Sequence, residues 1–291
     1  DIDNLQNLIQ DWKSSVVNFI TSSTDVDRLA EYSLHVSRIL AYPDLDIKDT
    51  LKKIDSMSDE LSLSIKKLLP LRPTQLIDEI NNYLYKEKEF EPNFQDYYNP
   101  LNSYLNVVLE RKTGIPITLS ILYMRIAHNL RFTLYPVNFP SHFLLKHVLD
   151  GDKSEIIIDP FNQGRIMDDY SLKELLDQYY PNLNMPLTRE FVEKATASQV
   201  IIRMLNNLKS SYYDSHDVEK AEIANEMIIC MDQYNPDAIR DKGMILLKKG
   251  NPTGALRMLS QYLEIDPEAI DVDAVLDIIR KIRSELDRDK T

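Results

Sequence analysis

The 291-residue chain carries 46 acidic and 34 basic residues, for a formal net charge of -12, and 43% of its residues are hydrophobic, as is ordinary for a globular protein. Its length predicts either two hydrophobic cores or one core with a helical extension. The acidic surface repels phosphate backbones and anionic lipids, and because no basic run offsets it we expect no nucleic-acid partner. No apolar stretch approaches the roughly 20 residues of a membrane span, and the single cysteine fits a reducing compartment, so we expect a cytoplasmic protein without membrane contact.

Apolar residues at spacings of three and four predict helices in the first third of the chain. One such stripe runs over residues 5–20, and similar periodicity returns over 29–39 and 76–84. Thr74, just before the third segment, is a suitable N-cap residue. We therefore predict an all-helical N-terminal layer over residues 1–95.

The middle of the chain changes from a helical to a strand-like pattern. Pro116 opens a helix to about Leu130 that is apolar on nearly every face, which is typical of a buried helix. Three β-prone runs follow, over residues 132–139, 142–149 and 155–159. The last two are joined by a predicted turn at 150–152. This pattern indicates a domain over residues 96–190 with an antiparallel sheet on a buried helix.

The last third has an internal period of 34 residues, the length of a tetratricopeptide repeat. The matched pairs are Leu205 with Ile239, Tyr212 with Leu246, and Ala221 with Ala255. Gly243 stands where that repeat needs close helix approach, whereas Lys209 stands there in the first copy, so the repeat is degenerate. We predict tetratricopeptide-like repeats over residues 191–291, closed by a capping helix around Val272 to Ile282.

Three segments of the chain resemble a known family. They are Asn99 to Ser120, Phe139 to Leu145 and Ile158 to Gly164. They are similar to the bacterial invasion-regulator B proteins, which join a transglutaminase-like core to C-terminal tetratricopeptide repeats. The resemblance covers roughly residues 30 to 270. It implies a mainly helical fold whose α+β core is papain-like and carries a small antiparallel sheet.

The resemblance also implies a site. Active transglutaminase-like enzymes place a cysteine at the start of a buried helix, with a histidine and an aspartate on successive strands. His142 and Asp159 match the last two, but the cysteine position falls at Pro116 or Ile117, and neither side chain is a nucleophile. We expect a remnant pair within about 3.5 Å. The alternative is a histidine packed beside a strand, with Asp159 capping a turn before Pro160.

Two hydroxyls in the predicted buried helix offer a substitute nucleophile. Thr118 and Ser120 lie in its first turn, where hydroxyls also commonly satisfy free backbone amides. Cys230 lies in an apolar run of the repeat region and is expected to be a packing residue. Because the sequence shows no zinc spacing, calcium loop or phosphate-cradling glycine motif, we expect no metal and no cofactor.

Two functions fit this sequence. The first is a non-catalytic interaction or regulatory protein whose repeats receive a protein or peptide partner. The side chains expected to bind it are Arg203, Asn206, Arg240 and Lys242, on the first helix of each repeat. The second is a hydrolase or acyl-transfer enzyme that uses a serine or threonine nucleophile with His142 and Asp159. The sequence leaves the partner and the oligomeric state open.

Overall fold

The computed structural model describes residues 2–20, 25–149 and 154–288, so the predicted turn at 150–152 lies outside the described residues. The helices are α1 (Ile2–Trp12), α2 (Leu29–Leu40), α3 (Ile47–Ile65), α4 (Pro73–Asn81), α5 (Leu105–Arg111), α6 (Pro116–Asn129), α7 (Asp169–Tyr179), α8 (Ala197–Asp214), α9 (Val218–Met231), α10 (Pro236–Lys248), α11 (Pro252–Ile265) and α12 (Val272–Arg288). The strands are β1 (Glu91–Pro92), β2 (Thr113–Gly114), β3 (Tyr135–Val137), β4 (Leu144–Val148), β5 (Glu155–Asp159) and β6 (Arg165–Met167).

The chain divides into two compact units, which cut across the three predicted segments. The core unit runs from Asn18 to Met204, and the repeat unit combines residues up to Val17 with those from Leu205 onward. The helices over residues 29–81 therefore share one unit with the sheet, whereas α1 belongs with the repeats. The predicted fold class, mainly helical with a small antiparallel sheet, is confirmed.

In the core unit, four strands form an antiparallel sheet in the order β3-β4-β5-β6. Leu144 and Ile157 lie in the apolar cluster that includes residues of α7. Side chains alternate across a strand, so the equally buried Leu145 and Ile158 face the other side, and α6 packs against β4. Helix α6 is buried on nearly every face, as its sequence predicts.

A second, two-stranded parallel sheet joins β1 to β2 directly before α6. Thr113 pairs with Glu91 and Gly114 with Pro92, so the backbone that leads into α6 is held in place by its pairing with β1. A Cβ atom on Gly114 would lie 2.9 Å from Thr118 Oγ1, which explains why a residue without a side chain stands there. This pair of strands was not predicted, because two residues carry no periodicity.

The repeat unit stacks helical pairs and closes both ends of the stack. Gly243 allows the close approach of α10 and α11, since a Cβ atom there would lie 2.7 Å from Leu259 Cγ. At one end, α12 buries Val275, Ile279 and Ile282 in the same cluster as Leu259. At the other, fully buried Trp12 of α1 donates from Nε1 to the carbonyl of Met227 on α9 at 3.1 Å. Within the described ranges, no helix is both long and apolar enough to span a bilayer.

Candidate functional site

The start of α6 is apolar where the family's cysteine is expected. Ile115, Pro116 and Ile117 are all buried. The first hydroxyl after them, Thr118 Oγ1, accepts from the Ile115 amide at 3.2 Å and donates to the Asn102 carbonyl at 2.8 Å. Thr118 therefore satisfies backbone groups at the helix start, which is the structural alternative considered for it.

Ser120, two residues after Thr118, is fully buried. Its Oγ has no hydrogen-bond partner in the described part of the chain. In particular, it makes no hydrogen bond to His142, whose ring nitrogens bond Asp159 and Tyr179. Ser120 is thus a buried hydroxyl that is not activated by the histidine.

His142 and Asp159 form a buried pair at the edge of the sheet. His142 lies two residues before β4 and Asp159 is the last residue of β5. Because Leu145 pairs with Ile158 in the antiparallel register, the start of β4 meets the end of β5. His142 Nε2 lies 2.9 Å from Asp159 Oδ1, and the two side chains are 1% and 0% exposed. This distance is within the expected limit of about 3.5 Å.

Asp159 also caps the turn that follows it, so both interpretations of this residue describe the structure. Its Oδ1 accepts from the amides of Phe161 at 3.0 Å and Asn162 at 3.2 Å, and its Oδ2 accepts from Asn162 Nδ2 at 2.6 Å. Since the two amides and the Asn162 side chain are all N–H donors, the carboxylate accepts in each of these hydrogen bonds. The acceptor role of Asp159 makes His142 Nε2 the donor of this hydrogen bond, and in the tautomer with one ring proton Nδ1 is then the basic nitrogen.

The basic nitrogen of His142 faces a hydroxyl that the sequence reading missed. Nδ1 lies 3.3 Å from the Oη atom of Tyr179, the last residue of α7. Burial, and then the nearby Asp159 carboxylate, raises the pKa of Tyr179 above its usual value. The phenol therefore stays protonated and is a poor nucleophile. Only the Tyr179-Tyr180 doublet marked this residue in the sequence.

The four side chains expected to bind a partner do not lie free. Arg203 lies on α8 in the part that belongs to the core unit, where its Nη1 donates to the Phe139 carbonyl at 3.1 Å. Arg240 pairs with three aspartates, two at 3.0 Å and one at 2.9 Å, which hold its pKa above its usual value despite burial. Lys242 pairs with Glu226 at 2.7 Å, and Asn206 is partly buried.

The repeat unit instead contains a cavity that the residue pattern did not reveal. It has a volume of about 310 Å³ and lies between α8 and α10. Its lining comprises Lys209, Ser210, Tyr213, Asp214, Asp241, Met244 and Ile245. Buried Lys209 bonds Asp241 at 2.6 Å and Asn225 at 3.2 Å. The lysine that breaks the repeat pattern is thus the polar edge of the cavity.

Two further side-chain groups bear on the chemistry. Cys230 is partly exposed on α9 rather than fully buried, and burial raises the pKa of its thiol, which disfavours the reactive thiolate. No group of three or more histidine, cysteine or acidic side chains in the described residues is arranged to hold a metal ion.

The family model of the transglutaminase-like superfamily matches residues 48–206, more than half of the chain. The chain belongs to this superfamily. A tetratricopeptide repeat model matches residues 208–280. The predicted combination of a transglutaminase-like core with tetratricopeptide-like repeats is therefore confirmed.

Several curated proteins are similar to this transglutaminase-like chain. A UPF0162 protein of Xylella fastidiosa is 34% identical over 241 residues, which cover 80% of this chain and 83% of that protein. The UPF0162 protein YchA of Escherichia coli is 27% identical over 243 residues, covering 82% and 84%. The human F-box only protein 21 is 29% identical over 217 residues, covering 66% of this chain but 33% of that protein.

Proposed function

We propose that the protein is a non-catalytic interaction protein of the invasion-regulator B type, acting in the cytoplasm through its repeats. The observation that carries this proposal is the start of α6. Covalent acyl transfer by this family needs a thiolate there. Ile115, Pro116 and Ile117 supply none, and the Thr118 hydroxyl is committed to backbone contacts.

The His142–Asp159 pair then has no proton to abstract from a nucleophile. Its basic nitrogen meets the Tyr179 phenol, whose pKa is raised by burial and by Asp159. A general base acts only on a proton within hydrogen-bond reach in a group that can attack a substrate. This pair is better suited to holding the start of β4 against the end of β5.

For the partner site we favour the cavity between α8 and α10. Tyr213, Met244 and Ile245 give it an apolar wall, and the Lys209–Asp241 pair gives it a polar edge. A protein or peptide partner would place an apolar side chain in this space, with polar groups beside it. Asn206, Arg240 and Lys242 lie on the same two helices and are proposed as flanking contacts, although the ion pairs of the two cations reduce their free charge.

The partner proposal is tested by crosslinking at the cavity. A photoreactive residue in place of Ser210, which lines the cavity and is exposed, should capture a discrete protein in native cells. The matched control is exposed Ser284 on α12, outside the cavity lining. In chains without the photoreactive residue, Ser210→Glu should lose binding of the captured partner, and Ser284→Glu should keep it. A partner that binds Ser210→Glu normally would contradict the assignment.

The alternative function, a hydrolase or acyl-transfer enzyme with a serine or threonine nucleophile, is favoured by one observation. The Ser120 hydroxyl is buried and makes no hydrogen bond within the described residues. A nucleophile would have this property if His142 approached it only after a conformational change. We expect no turnover of amide or ester substrates above buffer. Turnover abolished by both Ser120→Ala and His142→Ala would establish the alternative. Loss with Thr118→Ala or Cys230→Ala would instead identify those residues as the nucleophile.

A further inference from the structure

The guanidinium of Arg203 is a partly buried cation without a counter-ion in the described part of the chain. Its hydrogen bond goes to the neutral carbonyl of Phe139, and its Cζ atom lies 5.6 Å from the centre of the Phe143 ring. By contrast, Arg125 and Arg240 each meet carboxylates at 2.9 or 3.0 Å. Buried charges in proteins are normally paired, because an unpaired one loses its hydration without compensation.

Besides the Phe139 carbonyl and the Phe143 ring, three phenols lie near enough to the Arg203 guanidinium to act on its charge. They belong to Tyr97, Tyr179 and Tyr180, and burial lowers the pKa of the guanidinium without bringing it near neutrality. Burial also raises the pKa values of Tyr97 and Tyr179, so both hydroxyls remain protonated at neutral pH. The surroundings of the cation therefore offer hydrogen-bond donors rather than negative charge.

Asp159 acts on the Tyr179 phenol, but within the described residues it makes no ion pair with Arg203. Its carboxylate is fully buried and accepts from His142, from two backbone amides and from the Asn162 side chain. Four donors occupy the acceptor sites of the two oxygens. A counter-ion for the Arg203 guanidinium would therefore have to come from outside the described residues.

Aromatic rings extend from these phenols towards solvent. Tyr97 packs edge-on against Tyr98 at 5.3 Å and against Phe161 at 6.1 Å. Tyr98 is 74% exposed and Tyr179 is 37% exposed. Exposed tyrosines supply rigid contact area with a polar end, which is why they are enriched where proteins bind ligands.

We propose that Arg203 and the tyrosines around it bind the carboxylate of a ligand whose neighbouring group is apolar. A planar guanidinium matches a carboxylate with two parallel hydrogen bonds. The Tyr97 hydroxyl is the one that donates to the same anion, because those of Tyr179 and Tyr180 already meet His142 and Ser141. The apolar group next to the carboxylate packs on the exposed rings. This site is separate from the repeat cavity and gives the core unit a recognition role of its own.

The charge balance favours a carboxylate over a phosphate. The site provides one cation in a chain of net charge -12, so it balances a single negative charge. A phosphate dianion would leave excess negative charge in a partly desolvated position, where it is costly. Phosphate binding is therefore an outcome that the test must separate from carboxylate binding.

The test uses the full chain and small probes. N-acetylphenylalanine represents the end of a peptide and 3-phenylpropionate a free small acid, and each is compared with its uncharged amide and with inorganic phosphate. We expect an acid to bind at least about tenfold more tightly than its amide by calorimetry, as for the loss of one charge-assisted contact. The acid should also shift the Nε–Hε NMR signal of Arg203. The tighter of the two acids identifies the source of the carboxylate.

Arg203→Gln should weaken acid binding about tenfold or more, whereas Arg189→Gln, at an 89% exposed arginine paired with Glu155, should leave it unchanged. If Arg203→Gln does not fold, two milder variants take its place. Arg203→Lys keeps the charge but loses the planar fork, and Tyr98→Ala removes an exposed ring; both should weaken binding. Equal affinity for acid and amide, unchanged binding in these variants, or preference for phosphate would overturn the proposal.

Discussion

Two positions of the first repeat should be coupled in stability when they are replaced by the residues that occupy the same positions in the second repeat. Lys209 and Asn225 each lie 34 residues before Gly243 and Leu259. In the second repeat the glycine makes room for the leucine, whereas in the first the lysine amine bonds the asparagine Oδ1 at 3.2 Å. We predict that Lys209→Gly and Asn225→Leu each destabilise the repeat unit and that the double variant recovers part of the loss.

The lysine variant carries the larger cost. Lys209→Gly removes the contacts to Asp241 and Asn225, and breaking a buried pair typically costs about 3–5 kcal/mol. Asp241 keeps a contact to Arg240 at 2.9 Å and is 27% exposed, so the lower end of that range applies. With the penalty of roughly 1 kcal/mol for a helical glycine, we expect a loss of about 4 kcal/mol.

The asparagine variant leaves two polar groups without a partner. Asn225 Nδ2 donates to the Ala238 carbonyl at 2.8 Å, and its Oδ1 accepts from Lys209. An unsatisfied buried group costs about 1–3 kcal/mol, so Asn225→Leu should lose about 2 kcal/mol. In the double variant the new leucine packs over the new glycine, and we expect a total loss of about 3 kcal/mol instead of the additive 6.

Trp12 makes this experiment specific to the repeat unit. It is the single tryptophan of the chain, and its indole is buried against Met227. Urea unfolding followed by tryptophan fluorescence therefore reports the repeat unit even if the core unit unfolds separately. Lys242→Gly is the control, because this lysine is partly exposed and its loss should cost only about 1 kcal/mol. Losses that add to within about 0.5 kcal/mol would refute the coupling.

Three other substitutions test the fold around the site and the repeats. Asp159→Asn should lower the unfolding free energy by about 3 kcal/mol because it turns an acceptor of four donors into a mismatched amide; a loss below about 1 kcal/mol in chemical denaturation would contradict this. Gly164→Ala should cost about 2 kcal/mol, since φ is +73° and the new Cβ would lie 1.8 Å from Asn81 Oδ1; an unchanged thermal midpoint would argue against it. Trp12→Phe should cost about 2 kcal/mol by removing the bond to the Met227 carbonyl, measured by circular dichroism at 222 nm, and no loss would mean that α1 contributes little.

Local patterns predicted the helices well, but not which helices pack together. The continuous apolar surface of α6 indicated a buried helix, and Asn251 and Asn235 cap their helices before a proline, as such sequences favour. The apolar stripe of α1 likewise predicted a helix. It did not predict that Trp12 would pack on α9, because a stripe shows that a face is buried and not what covers it.

The site was predictable only where a motif carried it. His142 and Asp159 followed from their match to family segments, and their distance of 2.9 Å agrees with that match. Tyr179 and Arg203 reach the same region from helices 37 and 61 positions after His142 in the chain, and no local spacing connects them to it. Side chains brought together by tertiary packing leave no periodic signal, which is why the sequence did not connect these two residues to His142.

Asp159 has a structural role in addition to its pairing with His142. Asp159 ends β5 and caps the Pro160–Asn162 turn with three contacts that do not involve the histidine. The Tyr85 hydroxyl also fixes this turn, by donating to the Pro160 carbonyl at 2.7 Å. Replacing the aspartate would leave these buried donors unsatisfied and loosen the turn. Asp159 therefore stabilises the fold through contacts that are independent of its hydrogen bond to His142.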